Sequence, residues 1–401
     1  MNAYLVRVDP QGNKNAECRM IQETPDRFRV EYGRIGAALL PRRYSNASWD
    51  AVYRSHIEKG YKDVTKLYLN TDANENTCFG SALVTALVEE MMSWANAEIE
   101  KNYAYGADFC VTSNAVEKSQ EILNRLSAMN GEKSLPEFND GLRDLFTIIP
   151  RKMTNVGEFL AKVPEDYGSI IEREQDLLDI AATRIDVGKK EKKEKSNPLK
   201  SRHIEITECS EKEKEMVKSH LDPDTRRLFR NAYHVNHEET RKAFEEYCRQ
   251  RHINDSTIRY YYHGSRNENY WPILLTGLKL RPTTHVIRSG AMFGRGLYFA
   301  PKAGKSLGYT SLQNSHWAKG SSRKALLFVF KVAMGKQCDL AGYSSVVAGW
   351  DERKCRKAGY DSVFAHKSAQ PSLSQGRLYN DEAIVYSEKA CTLAYIVEVA
   401  L

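Results

Sequence analysis

Apolar positions change their spacing twice along this chain. In residues 1–70 they alternate. AYLVRVD reads as a strand, PQGN as a turn, and FRVEYGRIG as a second alternating run that breaks at glycines. SWDAVYRSHIEKGYKDV then carries a helical pattern ended by Gly60. From residue 78 to 186 the period becomes helical. Leu83, Leu87, Met91 and Trp94 recur at helical spacing, VTSNAVEKSQEILNRLSAM repeats the pattern behind a Thr-Ser-Asn cap, and REQDLLDIAATRI is a third amphipathic segment. Pro150 falls in the connection before that third segment. GKKEKKEKSNPLKSR, at 188–202, has no apolar pattern and reads as a charged linker. Beyond 203 the pattern is β-rich: YYYHGS, GLYFA, ALLFVFKVAMG, EAIVY and LAYIVEV. Several of these runs are apolar on both sides, as in a buried central sheet.

At 401 residues the chain has room for two or three domains, and 41% hydrophobic with 28% charged residues is an ordinary globular balance. It contains no run of 18 or more apolar residues, so no membrane partner is expected. MNAYLVRVDPQG lacks the basic region and long apolar core of a secretory signal. Eight cysteines without a CxxC pair argue against a zinc module and fit a reducing, intracellular setting. HVNH, from His234 to His237, has no cysteine or carboxylate ligand set around it and reads as a surface helix, so no metal is expected. The net charge is +7. Twelve Lys and Arg against eight Asp and Glu place +4 of it in residues 1–70, which permits a polyanionic partner there. Neither GxxxxGK[ST] nor GxGxxG after a strand occurs, which argues against P-loop and Rossmann sites.

Three pieces in order, YYYHGSR, SGAMFGRGLYFAPKAGKSLGY (289–309) and LYNDEAIVY (378–386), resemble the catalytic domain of the poly(ADP-ribose) polymerase family. Residues 30–62 are similar to a WGR domain, with Tyr32 where the family has its tryptophan, and LRDLFTIIP with DLLDIAAT resemble the family's regulatory helical domain. The resemblance implies an α+β multidomain chain: a β-rich WGR-like DNA-binding domain at 1–72, an all-α regulatory bundle at 78–186, a linker at 187–202, and an ADP-ribosyltransferase fold with a split antiparallel sheet at 203–401.

It further implies a His-Tyr-Glu triad on His263, Tyr298 and Glu382. His263 would bond a ribose hydroxyl of NAD+, and Gly264 would hold the nicotinamide carboxamide through its backbone, with Ser265 and Ser306 beside it. Tyr309 would stack on the nicotinamide ring, Tyr298 would line the pocket, and Lys305 would sit beside the catalytic glutamate. Such a site takes NAD+ as co-substrate without a metal and modifies protein acceptors, the chain itself among them. It would be nuclear in a eukaryote and cytoplasmic in a bacterium. The WGR-like part implies contact with DNA ends or nicks, with Tyr32 as an aromatic face and Arg34, Arg42, Arg43, Lys59 and Lys62 as phosphate contacts. Taken singly, each residue has a plain structural explanation: a satisfied histidine, a core tyrosine, a strand-edge charge, a solvated basic face. Transfer of single units, hydrolysis of NAD+ and a non-catalytic DNA-break binding module are the alternatives to polymer synthesis.

Overall fold

Alternation in the first forty-five residues becomes four consecutive antiparallel strands: β1 (Asn2–Asp9), β2 (Lys14–Thr24), β3 (Arg27–Arg34) and β4 (Leu40–Ser45). The computed structural model describes residues 2–70, 79–103, 109–129, 134–184, 197–280, 292–367 and 378–401. Among these the chain forms two compact units, one of 2–70 and 96–184, the other of 79–95 and the described residues from 197 on.

In the first unit, Asn13 at φ 46° closes the turn between β1 and β2. α1 (Trp49–Glu58) ends at the left-handed Gly60, and β5 (Lys62–Asp63) returns to pair with β1. The sheet order is therefore β4-β3-β2-β1-β5. Leu5, Cys18, Met20, Phe28 and Val30 pack with Trp49 on one face. β6 (Tyr68–Asn70) pairs with β7 (Phe109–Val111), and the helices are α2 (Ala82–Asn102), of which only the residues from Asn96 on belong to this unit, α3 (Ser113–Ser127), α4 (Leu135–Ile148) and α5 (Asp166–Ala182). Thr112 caps α3, its hydroxyl accepting from the Ala115 N–H at 3.2 Å. Phe138 of α4 stacks on Tyr167 of α5 with centroids 3.7 Å apart. The apolar stripe of α2 is shifted from its expected place: Leu83 is 50% exposed, and the buried face is Val84, Leu87, Val88, Met91, Ala95 and Ile99. Leu87 and Met91 belong to both stripes, and Leu83, in the first turn of the helix, is the position that turns outward.

Glu174 of α5 and Arg151, both fully buried, pair at 2.6 Å. The guanidinium also donates to Asn102 at 2.9 Å, and the Arg151 carbonyl accepts from Asn15 of β2 at 2.8 Å. One arginine thereby ties the sheet to two helices. Most of the charged run at 188–202 lies outside the described residues.

The second unit is α+β. Its strands are β8 (Ile204–Glu208), β9 (Phe229–His237), β10 (Ile258–His263), β11 (Leu297–Phe299), β12 (Lys324–Ala333), β13 (Gln337–Leu340), β14 (Ser362–Ala365), β15 (Glu382–Val385) and β16 (Cys391–Ala400). Its helices are α6 (Glu211–Ser219), α7 (Pro223–Leu228), α8 (Glu238–Gln250), α9 (Tyr270–Thr276), α10 (Ala303–Leu307) and α11 (Glu352–Lys357). One sheet, β10-β12-β16-β9-β8, is antiparallel throughout. In the other, β11-β15-β14-β13, the β13–β14 pair is parallel, so the split sheet is not wholly antiparallel. A crossover carrying α11 joins β13 to β14, the long connection that parallel pairing requires. β12 and β16 are buried on both faces, which explains their nearly unbroken apolar runs. His234 to His237 is the end of β9, not a surface helix. His237 is buried there and caps α8.

Candidate active site

The two sheets meet where β10 ends. Tyr262 and Ala300 exchange both backbone hydrogen bonds at 2.9 Å, joining β10 to the residue after β11. The next residue, His263, is thereby held against β11, its Nδ1 3.1 Å from the Tyr298 carbonyl. A carbonyl only accepts, so Nδ1 carries the proton in this contact. Phe299 and Phe330 stand edge-on to the imidazole at 6.1 and 6.2 Å and fix its plane.

Gly264 follows where no side chain fits: a Cβ there would lie 1.9 Å from the Ser306 carbonyl oxygen. Glycine here lets the turn after β10 pack directly on the Ser306 backbone. Ser306 is buried on α10, which also supplies Lys305. The Ser265 N–H donates to the Tyr270 hydroxyl at 3.2 Å, and the Ser265 hydroxyl accepts from Asn269 at 3.1 Å, so both groups of this serine serve the turn after β10.

Glu382 opens β15, buried, in register with Ala365 of β14. It forms an ion pair with the ammonium of Lys305, itself partly buried. Burial pulls the Lys305 pKa down, and the Glu382 charge opposes that shift. Tyr298 lies on the strand paired with β15, opposite Ile384. Its hydroxyl accepts from the Phe293 N–H at 3.0 Å and donates to the Gly294 carbonyl at 2.7 Å. Burial raises the Tyr298 hydroxyl well above its ordinary value, with the Glu382 charge adding to the effect. Tyr309 is 40% exposed, one short turn beyond α10. Burial and then the Glu382 charge raise its hydroxyl, which places it within the electrostatic reach of that carboxylate. The structure thus brings His263, Gly264, Tyr298, Lys305, Ser306, Tyr309 and Glu382 to one junction. Ser289, Gly290 and Ala291 of the second motif lie outside the described residues. Among the described residues no group of three or more His, Cys, Asp and Glu could hold a metal ion.

A family model of the poly(ADP-ribose) polymerase catalytic domain matches residues 205–401. A "Putative poly [ADP-ribose] polymerase-like 100L" of Invertebrate iridescent virus 6 is 30% identical over 34% of this chain and 68% of its own length. The chain belongs to the poly(ADP-ribose) polymerase family. A second protein of the same virus, "Uncharacterized protein 101L", is 29% identical over 44% of this chain and 74% of its own length. The maize "Poly [ADP-ribose] polymerase 2" is 25% identical over 70% of this chain, and the chain spans 46% of that protein. As a member of the poly(ADP-ribose) polymerase family the chain is an ADP-ribosyltransferase, with NAD+ as its co-substrate. No helix among the described residues is long and apolar enough to cross a membrane.

The residues expected to contact DNA are not gathered into one patch. Arg42, on edge strand β4, lies over the Tyr32 ring at 5.4 Å, and its neighbour Arg43 pairs with Glu23 at 2.9 Å. Lys59 and Lys62 flank the start of β5, the opposite edge, roughly 19 Å away across four strand spacings. Lys62 pairs with Asp144 at 2.9 Å. Arg34 donates to the carbonyls of Asn13, Met153 and Thr154, at 3.1, 2.9 and 2.5 Å. Its guanidinium is a clamp on the loop after α4. Sequence reasoning also passed over Trp317, whose indole stacks on Tyr309 with centroids 6.0 Å apart. An isolated tryptophan in a polar stretch gives no periodic signal.

Proposed function

We propose that this junction binds NAD+ with its nicotinamide against Tyr309 and the Gly264 backbone, its ribose hydroxyl on His263, and its reacting carbon beside Glu382. The bond between ribose C1′ and the nicotinamide nitrogen breaks, and both electrons leave with nicotinamide, which departs neutral. The Glu382 carboxylate stabilises the oxocarbenium-like carbon and holds the 2′-hydroxyl. An acceptor hydroxyl then attacks C1′ and gives its proton to that carboxylate. Lys305 pairs with Glu382 and aims it. The observation that carries the reading is the largely shielded Lys305–Glu382 pair, set on the sheet whose β11 carbonyl fixes His263.

Poly(ADP-ribose) is the proposed product, because polymerising members of the family carry the glutamate that Glu382 matches. DNA strand breaks are the proposed activator, acting through the β4 edge. Exposed Arg42 and Arg43 there, the Arg42–Tyr32 contact and the +4 balance of residues 1–70 support that reading. The test is labelling from radiolabelled NAD+ with and without nicked DNA, resolved by product length. Ladders that lengthen with DNA are expected. Single units would make the enzyme a mono-transferase, labelling indifferent to DNA would remove the break sensor, and free ADP-ribose alone would make it a hydrolase. Absence of turnover in both conditions would leave a binding module.

A further inference from the structure

We propose that Trp317 is a positioning residue that holds the Tyr309 ring as the nicotinamide platform. This rests on the role given to Tyr309 above. The two rings are 20° from parallel, so the indole backs one face of the tyrosine and leaves the other for a flat ligand. Trp317 is 52% exposed, too open for burial alone to explain its placement.

The loop that carries it is tied at several points. The Trp317 and Ala318 N–H groups both donate to the Gly308 carbonyl, at 2.8 and 3.0 Å, directly before Tyr309. The Ser322 N–H donates to the Ser311 carbonyl at 2.9 Å, and the Gln313 N–H donates to the Ser322 carbonyl at 2.7 Å, closing the loop at its base. A Cβ at Gly320 would fall 2.1 Å from the Ser311 carbonyl oxygen, so that closure needs glycine. Leu312 anchors the base in the core. Ser311 accepts from the Asn267 N–H at 2.9 Å, linking the loop to the turn after Gly264. A Cβ at Gly308 would lie 2.9 Å from the indole Cδ1, so glycine there leaves room for the ring.

An exposed tyrosine otherwise samples its rotamers, and a ligand stacking on it must stop that motion. A tryptophan already stacked behind it removes that cost before nicotinamide arrives. The contact should therefore act on affinity for the nicotinamide end and little on the chemical step.

The experiment measures the inhibition constant of nicotinamide and the KM and kcat for NAD+ in four variants of the full chain. Trp317→Ala is expected to raise the nicotinamide Ki and the NAD+ KM about two- to tenfold, the size of one aromatic stack, with kcat within about twofold. Trp317→Phe is expected to restore most of the affinity, since a ring still backs Tyr309. Gly308→Ala keeps the indole but displaces it, and is expected to raise Ki in the same direction. If Trp317→Ala does not fold, this variant decides alone. Tyr309→Ala separates the two layers of the argument. A raised Ki in Tyr309→Ala with unchanged Ki in Trp317→Ala and Gly308→Ala overturns the positioning role only. An unchanged Ki in Tyr309→Ala overturns the platform itself, and the inference with it.

Discussion

The candidate active site and the basic residues of the first sheet stand in opposite relations to their strands. His263, Tyr298, Lys305 and Glu382 come from four separate elements, and strand pairing brings them together: β10 bonds to the end of β11, β11 pairs with β15, and α10 faces Glu382. Tyr32, Arg34, Arg42, Arg43, Lys59 and Lys62 come from one short stretch, and the sheet order β4-β3-β2-β1-β5 spreads them to opposite edges. Closeness along the chain is therefore a poor guide to a shared site, and strand order is the better one. The two places also differ in dielectric. The Lys305–Glu382 pair is largely shielded from solvent, where a charge acts strongly on a neighbour. The arginines of β4 are exposed, where salt screens them.

The largest expected effect checks the shared framework beneath the basic face. Arg151→Leu leaves the buried Glu174 carboxylate with Arg173 as its one remaining arginine partner and should cost about 3 kcal/mol in denaturant unfolding. A loss under about 1 kcal/mol would show that the clamp is not what ties that sheet to its helices. At the catalytic junction, Gly264→Ala places a methyl on the Ser306 carbonyl and should lower nicotinamide release about 100-fold, as a displacement near 1 Å does. Near wild-type release would mean that no ligand uses that backbone.

Lys305→Arg sharpens the electrostatic half of the comparison. Burial lowers the Lys305 pKa, so the alkaline limb of the pH–rate profile should fall below the ordinary lysine value of about 10.4. Arginine stays charged and should move that limb upward. The sign for stability is the reverse. Between the lowered value and the ordinary one the unfolded chain binds more protons, so stability from this group rises with pH while turnover falls. Parallel loss of both would point to unfolding rather than to loss of the ion pair.

The smallest effect concerns the two edges of the first sheet. If DNA lies along β4, Arg42→Ala should reduce the slope of log affinity against log salt by about one, and Lys62→Ala should leave it unchanged. Equal changes would place the contact across both edges and contradict the β4 reading.

Much of the architecture was legible before the structure, because strand alternation, the Gly60 stop and the Thr112 cap are local signals. Three ordered motifs sufficed to name the candidate residues that the structure gathers at one junction, since each motif carries its own strand or helix. Three things were hidden for physical reasons. The register of α2 turned on one residue, Leu83 against Val84. Arg34 looked free because its partners, Met153 and Thr154, lie more than a hundred residues away. The parallel pairing of β13 with β14 depends on where the crossover lands, which no apolar pattern records.

In the proposed reaction Glu382, paired with Lys305, acts on bond breaking rather than on NAD+ binding. Glu382→Gln tests it most directly when NAD+ affinity by calorimetry is set against the rate of nicotinamide release. Affinity within a few-fold of wild type is expected, with release slowed about 10²- to 10³-fold, the size of one lost electrostatic contact in a transition state. Release at the wild-type rate, or a loss confined to affinity, would contradict that role.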